Sequence, residues 1–176
     1  DYVAKALEDL EIDEKLSDED KAKIKKNVEE YKAQITEVEE KIKTITGKEF
    51  KLYEGDIKNK NLLNKIFEEN KIDAVMHFAG YKAVGESVKK PLMYYDNNLN
   101  TTITLLDTMK EYGCKNFIFS SSATVYGKPH TLPILENFPL STTNPYGTTK
   151  LMIEMILKDL YISNNDFNIT ILRYFN

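Results

Sequence analysis

The chain has 176 residues, a formal charge of −4 and seven glycines, none of which lies in the first 46 residues. The spacing of these glycines excludes both the G-x-G-x-x-G loop that binds dinucleotide phosphates and a P-loop followed by Lys-Ser/Thr. Two histidines and one cysteine cannot assemble a zinc site of the usual kinds, and the acidic balance argues against nucleic acid as a partner.

The N-terminal part of the chain differs in composition from the rest. Residues 1–46 carry 14 acidic and 9 basic side chains, whereas residues 47–176 carry 14 acidic and 15 basic ones. We therefore predict two regions, a charged helical segment over residues 1–46 and an α/β domain over residues 47–176. The boundary falls within residues 33–47.

Two helices are predicted within residues 1–46. The helical spacing of Val3, Leu7 and Leu10 predicts a short first helix. Ser17, followed by three acidic residues, is a typical helix start, and Gly47 is a typical stop, so a long second helix is predicted over residues 17–46.

The long helix carries one apolar stripe at heptad spacing. Its members are Ile24, Val28, Tyr31, Ile35, Val38, Ile42 and Ile45. A stripe of this spacing is typical of a coiled-coil surface, which would make the chain a homo-oligomer. It is equally typical of an amphipathic helix packed on its own domain, because periods of 3.5 and 3.6 barely separate over three heptads.

Beyond residue 47 the pattern alternates between strands and helices. The predicted elements are a strand at Phe50–Asp56, a helix capped by Asn59, a strand at Ile72–Phe78, a helix over 96–112, a strand at Asn116–Ser121, a helix over 146–163 and a strand at Asn168–Asn176. Alternation of this kind predicts an α/β fold with a small parallel sheet of about four strands. Ligands bind such sheets beyond the carboxyl ends of the strands.

Three side chains at that edge suggest chemistry. Tyr146 and Lys150 are four residues apart at the start of a helix, so they share one face. A nearby ammonium favours the phenolate and makes tyrosine a better general base. Ser122 ends a strand 24 residues earlier. Together the three match the serine, tyrosine and lysine of the short-chain dehydrogenase/reductase superfamily. His77, on an apolar strand, is interpreted instead as a core histidine.

Longer strings narrow this resemblance. They are His77–Ser87 (HFAGYKAVGES), Tyr94–Asn98 (YYDNN), Ser120–Gly127 (SSSATVYG), Pro145–Lys150 (PYGTTK) and Leu172–Asn176 (LRYFN). In combination they resemble the UDP-glucose 4-epimerases over about residues 37–176. Sugar-nucleotide dehydratases of the same superfamily place an Asp-Glu pair directly after the strand-end hydroxyl, where this chain has Ala123 and Thr124.

The resemblance implies a partial Rossmann-like, three-layer α/β/α fold with NAD as the cofactor and a UDP-sugar as the substrate. It implies that Ser122 bonds the sugar 4-oxygen, that Tyr146 takes its proton and that Lys150 holds the nicotinamide ribose. Asn176 would meet the UDP-sugar. The other implied cofactor contacts are Asp56, Ile57, Phe78, Ala79, Gly80, Lys82, Asn97, Tyr174 and Phe175.

In that family, hydride passes from C4 of the sugar to NAD and returns to the opposite face of a 4-keto intermediate, so UDP-galactose and UDP-glucose interconvert. The family's glycine-rich first βαβ unit and its C-terminal lobe have no counterpart in this sequence. We therefore expect weak or no NAD binding and impaired activity in this chain alone.

The alternative hypothesis is a non-catalytic scaffold with a helical association segment. No apolar run of membrane-spanning length and no signal-peptide pattern occurs in the sequence, so we expect a cytoplasmic chain with no membrane partner.

Overall fold

The computed structural model describes residues 16–175, and these residues form two compact units. The first unit ends at Gly55 and the second begins at Asp56. Among the described residues, no helix is both long and apolar enough to cross a membrane.

Helix α1 (Asp18–Thr46) dominates the first unit, as its start and stop signals predict. The Ser17 side chain accepts the backbone N–H of Asp20, and three acidic residues in the first turn oppose the positive end of the helix dipole. Gly47 ends the helix in the left-handed conformation, with φ 67°, and its N–H donates to the Lys43 carbonyl. No residue of α1 is buried. The predicted first helix around Val3, Leu7 and Leu10 lies outside the described residues.

The predicted strand at Phe50–Asp56 is wrong. Residues 48–54 have no regular secondary structure, and the Phe50 and Leu52 side chains are exposed. An extended segment becomes a strand only when a neighbouring strand pairs with its backbone N–H and C=O groups. Alternating apolar residues predict an extended backbone but carry no information about that neighbour.

The second unit alternates helices and strands. In chain order its elements are α2 (Lys60–Glu69), β1 (Ala74–His77), α3 (Val84–Lys89), α4 (Pro91–Glu111), β2 (Asn116–Ser122), a short 3₁₀ helix (Ala123–Tyr126), α5 (Pro145–Ser163) and β3 (Asn168–Tyr174). Asn59 caps α2 as predicted, by accepting the N–H groups of Asn61 and Leu62. Helix α3 was not predicted, and no side chain caps its start.

The three strands form one parallel sheet in the order β1-β2-β3. Ala74 pairs with Asn116, and Asn116 pairs with Asn168, so β2 is the central strand. The sheet therefore has three strands within the described residues, where the sequence predicted about four. The strand that is missing is the one predicted at Phe50–Asp56.

The core lies between the sheet and the helices α2, α4 and α5. Its buried members are Leu63, Leu105, Leu106, Met109, Cys114, Phe117, Phe119, Ile153, Leu157 and Phe167. Phe117 and Phe119 project from β2 toward these helices, because alternate residues of a strand share a face.

The opposite face of the sheet is open in the described part of the second unit. Met76, Leu172 and Tyr174, from both edge strands, are exposed. The unit thus has two layers where the sequence predicted three. The partial Rossmann-like α/β class is confirmed, because a small parallel sheet with helical crossovers is present.

Candidate functional site

A cavity of about 300 Å³ lies at the carboxyl ends of β1 and β2, where parallel sheets bind ligands. Its lining residues are Phe78, Gly80, Lys82, Ser120, Ser121, Ser122, Tyr146, Lys150 and Tyr174. The cavity therefore brings together the predicted catalytic residues and four of the predicted cofactor contacts, which are Phe78, Gly80, Lys82 and Tyr174. They come from separate segments of the chain, and the fold supplies their proximity.

The first two turns of α5 present Tyr146 and Lys150 to the cavity. Pro145 opens the helix, and the Asn144 side chain caps it by accepting the N–H of Gly147 at 2.8 Å. Lys150 Nζ lies 6.0 Å from the centroid of the Tyr146 ring and 4.8 Å from that of Phe119. The cap thus fixes the start of the helix that carries both side chains.

Lys150 is buried and donates a hydrogen bond from Nζ to the Ser120 carbonyl at 2.8 Å. Burial lowers the pKa of Lys150 to about 8, because the charged ammonium loses water. A lysine ammonium has three N–H donors, and the Ser120 carbonyl takes one of them. The others remain for a bound hydroxyl group.

His77 is buried at the end of β1. Its Nε2 is 3.0 Å from Thr102 Oγ1, and its ring stacks on Phe119. Burial first, and then the positive charge of Lys150, lower the pKa of His77 to about 4. The interpretation as a hydrogen-bonded core histidine is confirmed.

Ser122 ends β2 and caps the following 3₁₀ helix. Its Oγ accepts the backbone N–H of Thr124 at 3.2 Å. A serine hydroxyl that accepts one hydrogen bond can still donate its own proton. The bond holds the side chain at the strand end, next to the cavity.

The loop after β1 is tied to two helices by Asn98, which sequence reasoning missed. The Asn98 amide accepts the N–H of Tyr81 and donates both to the Tyr81 carbonyl and to Thr149 Oγ1. A Cβ atom on Gly80 would lie 3.1 Å from Asn98 Oδ1, so the loop passes this side chain closely. Thr149 precedes Lys150, so Asn98 joins the loop to the helix that carries the lysine.

The remaining predicted contacts lie outside the cavity lining. Asp56 Oδ1 accepts the N–H of Lys58 in a turn, and Ile57 packs against the core. Asn97 donates to Asn98 Oδ1. Phe175 lines a neighbouring cavity beside β3.

The last two predicted site residues are Ala79 and Asn176. Ala79 belongs to the loop after β1 and does not line the cavity. Asn176 lies outside the described residues. The cofactor and substrate roles of all these residues stay predictions.

Glu154 and Arg173 were also missed. Glu154 follows Lys150 by one helical turn and is buried on α5, and Arg173 shares a face of β3 with Ile169 and Ile171. The sequence did contain one signal for them, because each is a charged residue on a face of its helix or strand that is otherwise apolar. The sequence could not show that the two positions meet.

A family comparison decides the lineage of the chain. The family model described as GDP-mannose 4,6 dehydratase matches residues 14–176. The chain belongs to this family. The match includes the cavity, its three catalytic candidates and the whole of helix α1.

The chain is also similar to UDP-glucose 4-epimerases, which confirms the resemblance found in its motifs. It is 55% identical over 136 residues to the UDP-glucose 4-epimerase of Bacillus subtilis and covers 40% of that protein. It is 58% identical over 138 residues to that of Haemophilus influenzae and covers 41%. These matches take in 77% and 78% of the chain, which thus spans about two fifths of the length of these relatives.

The fold comparison agrees. A crystal structure of UDP-glucose 4-epimerase from Bifidobacterium longum, in complex with NAD⁺ and UDP, matches with a TM-score of 0.76 and 55% identity. The match covers 78% of this chain and 42% of that one. A second epimerase, from Stenotrophomonas maltophila and with bound NAD, matches with a TM-score of 0.75 and 43% identity over 80% of this chain.

The cavity lining combines hydrogen-bond donors, apolar rings and a positive charge. Lys150 offers ammonium donors and Tyr146 a hydroxyl, while the partly exposed rings of Phe78 and Tyr174 offer apolar surface for a flat ring. Lys82 adds a positive charge at the same cavity. This donor set suits a hydroxyl-bearing sugar and a neighbouring anionic group.

Proposed function

We propose that this chain is the catalytic-residue portion of a UDP-glucose 4-epimerase, which interconverts UDP-galactose and UDP-glucose with NAD. The observation that carries the proposal is the meeting of Ser122, Tyr146 and Lys150 at one cavity. The chain's similarity to epimerases at 55–58% identity supports it. NAD and a UDP-sugar are therefore the proposed ligands.

The residues have distinct proposed roles. The Ser122 hydroxyl, held at the strand end by Thr124, hydrogen bonds the sugar 4-oxygen. Tyr146 removes the proton from that oxygen and later returns it. Lys150, through its positive charge on the same helix face, favours the phenolate form of Tyr146 and binds ribose hydroxyls. Bound NAD would accept hydride from C4 of the sugar and give it back.

Dehydration is less well supported than epimerisation, although the matched family model carries a dehydratase description. Ala123 and Thr124 follow Ser122 at the start of the 3₁₀ helix. An alanine has no acid–base group, and a threonine hydroxyl is a poor general acid compared with a carboxyl group. The chain thus lacks the pair that elimination of water across C5 and C6 requires.

The test is conversion of UDP-galactose to UDP-glucose by the purified chain with added NAD. Tyr146→Phe should lower kcat by at least about 100-fold, because it removes the general base. Tyr161→Phe changes an exposed tyrosine on the same helix and should leave kcat unchanged. Equal rates for the unsubstituted chain and Tyr146→Phe would overturn the activity of this chain.

We further propose that NAD binds this chain weakly, since its sequence holds no glycine-rich phosphate loop. Such a loop supplies several backbone N–H donors and a helix N-terminus. At about 1.5–3 kcal/mol per charge-assisted bond, the loss of two or three weakens binding by about a hundred-fold or more. A calorimetric titration that gave a micromolar Kd would contradict this proposal.

A second proposal is that α1 joins two or more copies of the chain in parallel. Five of the seven members of its heptad stripe are exposed, Tyr31 at 65% and Ile45 at 82% among them, and Val28 and Ile42 are partly exposed. In a parallel pair, the residues that flank the stripe face each other across the two helices at a spacing of five residues, so Asp20 of one copy would face Lys25 of the other. None of the other pairs at this spacing brings like charges together. The alternative, non-catalytic scaffold would keep this association without turnover.

Light scattering at about 100 µM tests the association. Ile35→Lys places a charge within the stripe and should yield the mass of a monomer. Thr36→Lys places the same charge one residue away, off the stripe, and should keep the oligomer. A monomeric mass for the unsubstituted chain would overturn this second proposal.

We also propose a cytoplasmic location. The support is Cys114, which is a free and buried thiol, as expected in a reducing compartment. Fractionation of cells that express the tagged chain would test it, and recovery with secreted proteins would contradict it.

A further inference from the structure

A buried ionic cluster lies beside the cavity and joins four elements of the second unit. Its members are Ser121 at the end of β2, Tyr126 in the 3₁₀ helix, Glu154 in α5 and Arg173 at the end of β3. None of the roles implied by the family resemblance uses these four side chains.

The ion pair at its centre has two parallel contacts. Arg173 Nε donates to Glu154 Oε1 at 3.0 Å, and Arg173 Nη2 donates to Glu154 Oε2 at 2.7 Å. The Glu154 side chain is 6% exposed and that of Arg173 22%. The bond to Glu154 raises the pKa of Arg173, so the guanidinium stays charged. A buried pair of this kind is tolerated only when its geometry is kept.

Glu154 also holds the end of β2. Ser121 Oγ donates to Glu154 Oε1 at 2.5 Å. One helical turn earlier, Lys150 donates to the carbonyl of Ser120. Two successive turns of α5 therefore form hydrogen bonds with two successive residues of β2, directly before Ser122. Any shift of the strand end relative to α5 would break both contacts.

Arg173 connects β3 to the same cluster. Its Nη1 donates to the Tyr126 hydroxyl at 2.6 Å, and its guanidinium lies 4.9 Å from the centroid of the Tyr126 ring. Tyr126 in turn stacks on Phe175 at 6.4 Å. Tyr174, between Arg173 and Phe175, lines the cavity. The positions of Tyr174 and Phe175 thus depend on where Arg173 is held.

We propose that Glu154 and Arg173 are positioning residues which, with Ser121 and Tyr126, fix the ends of β2 and β3 around the Lys150 cavity. They act through Ser122, Lys150 and Tyr174 rather than by touching a ligand. The bidentate Arg173–Glu154 ion pair fixes the position of the strand ends through directional contacts. Apolar packing alone would not fix that position, because the side chains of Ser120–Ser122 are small. The proposal rests on the proposed function only for the role of the cavity.

The test uses no cofactor and no sugar, so its failure is distinct from failure of the proposed function. The pH profile of labelling at Lys150 by an amine-reactive reagent is followed by peptide mass spectrometry in the full chain. Ser121→Ala removes the strand-end bond without changing any charge. It leaves in place His77 and the ionisable groups that line the cavity with Lys150, which are Lys82, Tyr146 and Tyr174. The midpoint should rise by half a pH unit or more, because a loosened strand end admits water to the amine.

Two matched variants make the result specific. Ser121→Thr keeps the hydroxyl and should restore the midpoint, whereas Ser87→Ala removes another buried serine hydroxyl, bonded to Val84, and should leave it unchanged. Glu154→Gln should raise the midpoint further if it folds; the serine variants decide the matter if it does not. A midpoint that stays or falls in Ser121→Ala, or one that moves as much in Ser87→Ala, overturns the proposal.

Discussion

The two units use regular apolar spacing to different ends. Helix α1 carries seven apolar residues at heptad spacing, yet none of its residues is buried. Helix α5 carries a less regular set and buries Ile153 and Leu157 against the sheet. Periodicity therefore predicts that a helix forms and which side is apolar. What covers that side depends on long-range contacts, which periodicity does not contain.

The largest expected difference between α5 and α1 is in the stability lost when an isoleucine is replaced by alanine. Ile153→Ala leaves a cavity in the core and should lower the free energy of unfolding by about 4 kcal/mol. Ile35→Ala, at a position that is 36% exposed, should change it by less than about 0.5 kcal/mol in dilute solution. Urea denaturation followed by circular dichroism measures both. Equal losses would show that the two helices are buried alike.

Two glycines with positive φ offer a second contrast. A Cβ atom on Gly127 would meet the Ser141 carbonyl oxygen, so the backbone would have to move. Gly127→Ala should therefore cost about 3 kcal/mol. Gly47, at the end of α1, has open space around it, and Gly47→Ala should cost about 1 kcal/mol from the left-handed conformation alone. Denaturation midpoints give both values, and a smaller cost at Gly127 would be the contrary result.

Acid should weaken the second unit before it affects α1. The pKa of His77 is about 4 in the folded chain and about 6.5 when unfolded, so the unfolded chain binds more protons below pH 6.5. Stability should fall by about 2 kcal/mol from pH 7 to pH 5. The α1 sequence contains no histidine. His77→Gln should remove this slope in urea titrations at the two pH values, and an unchanged slope would assign it elsewhere.

A modest effect is expected at the cap of α1. Ser17→Ala removes the side-chain acceptor for the Asp20 N–H and should destabilise the first turn by about 1 kcal/mol. Amide hydrogen exchange of the first helical turn measures the change. Thr36→Ala, at an exposed mid-helix position, should slow exchange instead, because alanine is the better helix former. Faster exchange in both variants would contradict the assignment of Ser17 as the cap.

Local features of the fold could be predicted from the sequence, and the site only in part. Ser17, Gly47 and Asn59 act on backbone groups within four residues, so their capping roles are readable from neighbours alone. Tyr146 and Lys150 share a face for the same reason. Asn98 could not be found in this way, because its contacts with Tyr81 and Thr149 span 17 and 51 residues.

The failed strand and the missed cluster have the same physical cause. Phe50–Asp56 has the composition of a strand but has no strand partner, whereas Glu154 and Arg173 have a partner that only the fold reveals. Whether a polar or extended segment is stable depends on what satisfies its hydrogen bonds. That information lies elsewhere in the chain.

The order of the sheet also sets the pace at which the two units fold. Every ladder bond of β2 joins residues more than 40 positions apart, since Ala74 meets Asn116 and Asn116 meets Asn168. Long loops must close before any such bond forms, which places pairing of this kind in milliseconds to seconds. Contacts in α1 are only four residues apart, and helices form within about a microsecond. On a ribosome, α1 would be complete while the strand that must sit at the centre of the sheet is still being made.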